Sequence, residues 1–130
     1  MQSTPNSYNI GLWHEIKAKN ILKSRGFKLV KHNYKGMVAQ IDLVMSSKTQ
    51  LAFVEVKKTS LNYKDKTLRR FIFNQKKRIL GELYRYRMEN KEFHNLQPVL
   101  ILLIFAKSKH PDLYLYYLTP KICKFAQNNT

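Results

Sequence analysis

The chain has a single cysteine, Cys123, which excludes an internal disulfide and any cysteine-rich zinc site. Its histidines, His14, His32, His94 and His110, are scattered without ligand spacing and read as surface or structural residues. Long apolar runs are also missing. The longest, Val99 to Ala106, falls far short of the roughly 20 residues that span a bilayer, so no integral membrane role is expected. Met1 to Asn9 is polar and lacks the basic start and apolar stretch of a signal peptide, so the chain is expected to stay in the cytoplasm. No internal repeat or low-complexity stretch divides the 130 residues, which read as one domain with loose ends at 1–8 and 127–130.

Acid is scarce beside base. Eight Asp and Glu stand against 24 Lys and Arg, a formal charge of +16 that the folded state tolerates as self-repulsion. A polyanionic partner accounts for it, because neutralised phosphates supply most of the non-specific affinity of nucleic-acid-binding proteins. DNA is the first expectation and RNA the second. The plainer account is lysine inflation from an A/T-rich genome, which the eighteen Lys, six Arg and ten Asn also fit. With 44% hydrophobic and 12% aromatic residues, the chain is no disordered basic tail.

The pattern along the chain predicts a mixed central sheet flanked by helices, in the order α β β β α β β α. Residues 8–25 form the first helix, with Gly26 as its cap and with Gly11, Glu15, Ala18 and Leu22 on one stripe within about 60°. Strands follow at Phe27–Tyr34, Met37–Met45 and Leu51–Lys57. Residues 57–71 read as a basic loop and Ile72–Asn90 as a second helix. That helix carries a core line of Ile72, Lys76, Ile79, Leu83 and Tyr86, and a charged face of Arg78, Glu82, Arg85 and Glu89. Val99–Ala106 is a buried strand, Leu113–Leu118 another, and Pro120–Gln127 a short closing helix.

Two acids stand alone inside apolar strands. Glu55 lies in LAFVEVK, where an unpaired carboxylate costs several kcal/mol unless compensated. Alternation puts Glu55 and Lys57 on one face and Val54 and Val56 on the other. Asp42 lies in QIDLV, with Ile41 and Leu43 both expected to point away from it. Pairing of the two strands through the Ser46–Gln50 turn makes Asp42 and Glu55 direct or diagonal neighbours. Carboxylates that close need a proton or a cation between them, and Mg²⁺ typically uses one or two carboxylates with water and phosphate. The simpler alternative is a Glu55–Lys57 pair on a solvated sheet face.

The pattern Gly11, Glu15, Ala18, Leu22, Gly26, then Asn33-Tyr34, Ile41-Asp42-Leu43, Phe53-Val54-Glu55-Val56-Lys57 and Lys76-Lys77-Arg78-Ile79 resembles the YraN-like family. These are small bacterial endonuclease-like proteins of the restriction-endonuclease-like PD-(D/E)XK superfamily. The resemblance covers residues 8–83. It implies Asp42 and Glu55 as ligands of a catalytic Mg²⁺ or Mn²⁺, with Glu15 reaching the same site as a further ligand or water-holding residue. Lys57 would polarise the attacking water and stabilise charge on the scissile phosphate. Lys76 would contact phosphate, or bury its stem and send its amine to water. Two features depart from the family: Ala39-Gln40 replaces a usual glycine and acid before the aspartate, and Gln97-Pro98-Val99 stands where Arg-Phe-Asp is common.

Residues 57–78 hold nine Lys or Arg and one acid, Asp65, interleaved with Tyr63, Phe71 and Phe73. Lys58, Lys64, Lys66, Arg69, Arg70, Lys76 and Lys77 are the expected phosphate contacts; the alternative is a solvated loop with core aromatics. Three functions remain open. The first is metal-dependent hydrolysis of DNA phosphodiesters, with branched or damaged DNA among the substrates. The second is a nucleic-acid-binding module of the same fold with weak or absent catalysis, and the third an adaptor recruited to DNA by a partner.

Overall fold

The computed structural model describes residues 7–58, 70, 72–105, 112–118 and 123–125. Helix α1 (Ser7–Lys23) ends as glycine ends a helix: Gly26, at φ +94°, donates its N–H to the Lys23 carbonyl at 3.1 Å, and Phe27 donates to Leu22 at 3.0 Å. The chain reverses there into a meander of β1 (Lys28–Lys35), β2 (Gln40–Ser46) and β3 (Gln50–Lys58), paired antiparallel, with a bulge in β1 between Leu29 and Lys31. A π-helical turn (Ile72–Lys76), helix α2 (Lys77–Glu89) and a 3-10 turn (Lys91–Phe93) then lead to β4 (Gln97–Phe105), which lies parallel to β3. Strands β5 (Asp112–Leu118) and β6 (Cys123–Phe125) complete a sheet in the order β1-β2-β3-β4-β5-β6.

The unbroken apolar run of β4 is explained by its position. Both of its faces are covered, so every residue from Pro98 to Phe105 is buried, as parallel strands between helices require. On one face Ile79, Leu80, Leu83 and Tyr86 of α2 pack on Phe53, Leu100 and Leu102. On the other, Ala18 and Leu22 of α1 pack on Met45, Val54 and Ile101. These two layers confirm the expected mixed sheet with flanking helices, and the stripe of Ala18 and Leu22 on α1 is buried as its spacing predicts.

Three details differ from expectation. Cys123–Phe125 is a strand instead of part of a closing helix over Pro120–Gln127, because so short a helix gains little by itself while the edge of β5 offers unpaired backbone groups. Strand β2 starts at Gln40, since Met37 and Val38 form the turn instead of extending the strand. Ile41 and Leu43 do not share a face: Ile41 packs with the α2 layer and Leu43 with the α1 layer. A matching irregularity lies across the hairpin. Asn33, between the pairs His32–Leu43 and Tyr34–Ile41, has φ +59°, a left-handed conformation that Asn tolerates better than most side chains and that interrupts strand alternation. Among the described residues no helix is long and apolar enough to cross a membrane.

Candidate functional site

The Asn33 irregularity prepares the site, because it lies opposite Asp42. The β2–β3 ladder runs from Ser46–Leu51 to Leu43–Val54, and beyond that pair the two acidic side chains take over the backbone bonding. Val56 N–H donates to Asp42 Oδ2 at 2.8 Å, and Asp42 N–H donates to Glu55 Oε1 at 3.3 Å. Each carboxylate thus holds the other strand's main chain. The expected meeting of Asp42 and Glu55 across the two strands is realised in this crossed form.

Glu55 is buried and Asp42 half-buried. Desolvation is the chief reason that the Glu55 carboxyl is pushed up to about 8, with repulsion from Asp42 next and the Lys57 ammonium acting against both. Asp42 is also raised, again mainly by burial, while the Val56 N–H pulls it back. Lys57 Nζ stands 3.9 Å from Glu55 Oε2. Its side chain is half-buried at the mouth of the site, so Glu55 and Lys57 do pair, but beside a second carboxylate instead of on a solvated face.

Glu15 approaches from α1, on the other side of the sheet. Its carboxylate bonds His32 Nε2 at 2.9 Å and reaches the pair through its charge, which raises both Asp42 and Glu55. His32 is the residue that sequence reasoning passed over. Counting back from the Lys35-Gly36 turn would have found it, since that register sets it beside Leu43, one residue from Asp42. Gln40 donates its side-chain amide to Asn33 Oδ1 at 2.9 Å and so buttresses the irregular pair.

Among the described residues no group of three or more His, Cys, Asp or Glu is placed to hold a metal ion. In donor chemistry Asp42 and Glu55 nevertheless fit an oxygen-preferring divalent cation such as Mg²⁺ or Mn²⁺, since the crossed bonds hold two carboxylates together and supply oxygen donors alone. With two protein carboxylates, the remaining ligands of such an ion would come from water or phosphate. Of the expected phosphate contacts, Lys58 is exposed at the end of β3, Arg70 and Lys77 are exposed, and Lys76 is half-buried. Lys64, Lys66 and Arg69 lie outside the described residues.

Residues 14–97 match the model of a family described as "Uncharacterised protein family UPF0102". A UPF0102 protein of Acinetobacter baylyi is 43% identical over 56 residues, covering 43% of this chain and 40% of that protein. One from Caldanaerobacter subterraneus is 37% identical over 59 residues, covering 45% of this chain and 48% of its own length. One from Desulfosudis oleivorans is 46% identical over 43 residues, 33% of this chain and 35% of that one. The chain thus spans less than half the length of each of these relatives.

Proposed function

This chain belongs to the UPF0102 family, itself part of the PD-(D/E)XK-like restriction-endonuclease superfamily, and from that premise we propose that it is a nucleic-acid-binding module of the endonuclease fold, with DNA as its partner. The observation that carries this reading is a charge of +16 beside a site where, among the described residues, two carboxylates meet without a third His, Cys, Asp or Glu placed to complete a metal centre. With Glu55 pushed up to about 8, the pair keeps a proton at neutral pH when no cation is present, and so opposes an approaching phosphate less than two carboxylates would. Phosphate affinity then comes from lysine and arginine, and catalysis through a metal is weak or absent.

A second reading, metal-dependent hydrolysis of DNA phosphodiesters, is favoured by the convergence of Lys57 on Glu55 beside Asp42. Asp42 and Glu55 would hold a Mg²⁺ or Mn²⁺ ion, which supplies activation of water and neutralisation of charge at the phosphate. Lys57 would hold the water and offset charge on the phosphate oxygens. Glu15, tied to His32, would adjust the protonation of the pair through space.

The test joins gel shifts in chelator, over a salt series, to a nicking assay in Mn²⁺ with linear, gapped and branched DNA and an RNA duplex for comparison. Binding is expected to weaken steeply with salt, and Lys64→Ala, Lys66→Ala, Arg69→Ala and Arg70→Ala together to flatten that slope. Asp42→Asn and Glu55→Gln should bind at least as tightly as the parent in chelator. Cleavage by the parent that both substitutions abolish would move the assignment to the second reading. No binding to any nucleic acid at low salt would leave the adaptor reading.

A further inference from the structure

Glu82 is the most enclosed charged residue among those described, 1% exposed, although its place on α2 reads as part of a charged face. What covers it is the turn between β1 and β2. Val38 donates its N–H to Glu82 Oε1 at 3.0 Å, and Gly36 lies so close to the Glu82 carboxylate that a β-carbon there would force the carboxylate to shift. Arg85 pairs with Glu82 from the same helix, and Arg78 donates to the Val38 carbonyl. Gly36 N–H also donates to the Ala39 carbonyl at 2.9 Å, which leaves Met37 and Val38 as the tip.

The tip is thereby fixed from below and bare above. Met37 is 80% exposed, more than any other large hydrophobic side chain among the described residues, and Val38 is 50% exposed. Holding two apolar side chains out in water on a turn fastened by a buried carboxylate and an arginine has no benefit for folding. Their rim is cationic, with Lys35 exposed at the end of β1 and Arg78 exposed against Val38. The turn leads directly into the strand that carries Asp42.

We propose that this turn is a wedge that inserts Met37 and Val38 at an unstacked base step, so that the protein selects DNA interrupted by a nick, gap or branch over intact duplex. The inference rests on the nucleic-acid reading above. An unbent, fully stacked duplex resists entry of an apolar side chain, whereas a step whose stacking is already broken admits one at little cost, and Met is among the residues used in this way. Lys35 and Arg78 then meet the phosphates on either side of the opened step. A cationic rim suits a polyanion better than it suits an apolar protein surface.

The experiment compares the parent, Met37→Ser, Val38→Ser and the double variant on intact and nicked duplexes of one sequence, with 2-aminopurine placed beside the nick. Both positions are exposed, so the fold should be retained, and Met88→Ser on the exposed side of α2 serves as the control. The parent is expected to prefer the nicked duplex and to raise 2-aminopurine fluorescence. The double variant should lose about five- to tenfold of that preference and most of the signal, with unchanged affinity and salt slope on intact duplex. An unchanged ratio in the double variant, or a parent that binds both duplexes equally, overturns the wedge and leaves nucleic-acid binding standing. Absence of binding to either duplex removes the nucleic-acid reading and the wedge with it. Loss of binding to anionic phospholipid vesicles in the double variant, with DNA binding untouched, would assign the tip to a membrane surface instead.

Discussion

Two carboxylates are buried on the α2 side of the sheet, Glu55 at 7% exposure and Glu82 at 1%, and their surroundings differ in kind. Glu82 is answered from all sides, by Arg85, by the Val38 N–H and by the close approach of Gly36. Glu55 has one N–H donor from Asp42, an ammonium at 3.9 Å and a second acid as neighbour. Burial alone therefore does not mark a working acid. A buried carboxylate whose partners are complete fastens the fold, whereas one left short of positive charge holds on to its proton.

The largest effect that would test this contrast is on stability. Glu82→Ala removes the anchor of the β1–β2 turn and should cost about 3 kcal/mol, read as a lowered midpoint in urea at pH 7. A loss below about 1 kcal/mol would mean that the turn does not depend on Glu82, and the contrast would collapse.

Glu55→Gln should act in the opposite direction. The folded carboxyl titrates near 8 and the unfolded one near 4.5, so the folded state binds the extra proton between those values. The parent's stability should therefore be highest below pH 4.5 with respect to this group and fall as pH rises through 8. Glu55→Gln removes that fall, giving a gain in stability at pH 9 that vanishes near pH 4. Urea titrations at the two pH values measure it, and a parent whose stability rises with pH in this window through Glu55 would contradict the assignment. Mn²⁺ should raise the melting temperature of the parent and leave that of Glu55→Gln unmoved.

The smallest effect is the most specific. Asp42→Asn takes away the repulsion that ranks after burial in raising Glu55, so the Glu55 midpoint should move down while remaining above the ordinary carboxylate range. Carboxyl carbon chemical shifts followed over pH would report it. A midpoint that stays where it is would reduce the pair to two independent buried acids.

The sequence disclosed the Glu55 half of this comparison and hid the other. Asp42 and Glu55 are joined by strands and a short turn, so alternation and turn length suffice to bring them together. The sheet core was legible for the same reason, with β3 and β4 apolar on both faces. Glu82 was misplaced because a helical wheel assigns a residue to a face but does not say what folds over that face, and here the cover is a turn 44 residues earlier in the chain. The split between Ile41 and Leu43 coincides with the positive φ of Asn33 on the facing strand, which regular alternation does not contain. Strand β6 takes its form from the edge of β5, a property of the assembled sheet and not of its own residues.

Strand β1 closes one edge of the sheet, where unpaired backbone groups would accept a strand from another molecule. Lys28, Lys31 and Lys35 are exposed along it, and the bulge between Leu29 and Lys31 disturbs the flat register that such an added strand would need. A second copy aligned on this edge would bring its own lysines against these. The lysines of this edge thus guard it against pairing with a second copy through the same positive charge that dominates the whole chain.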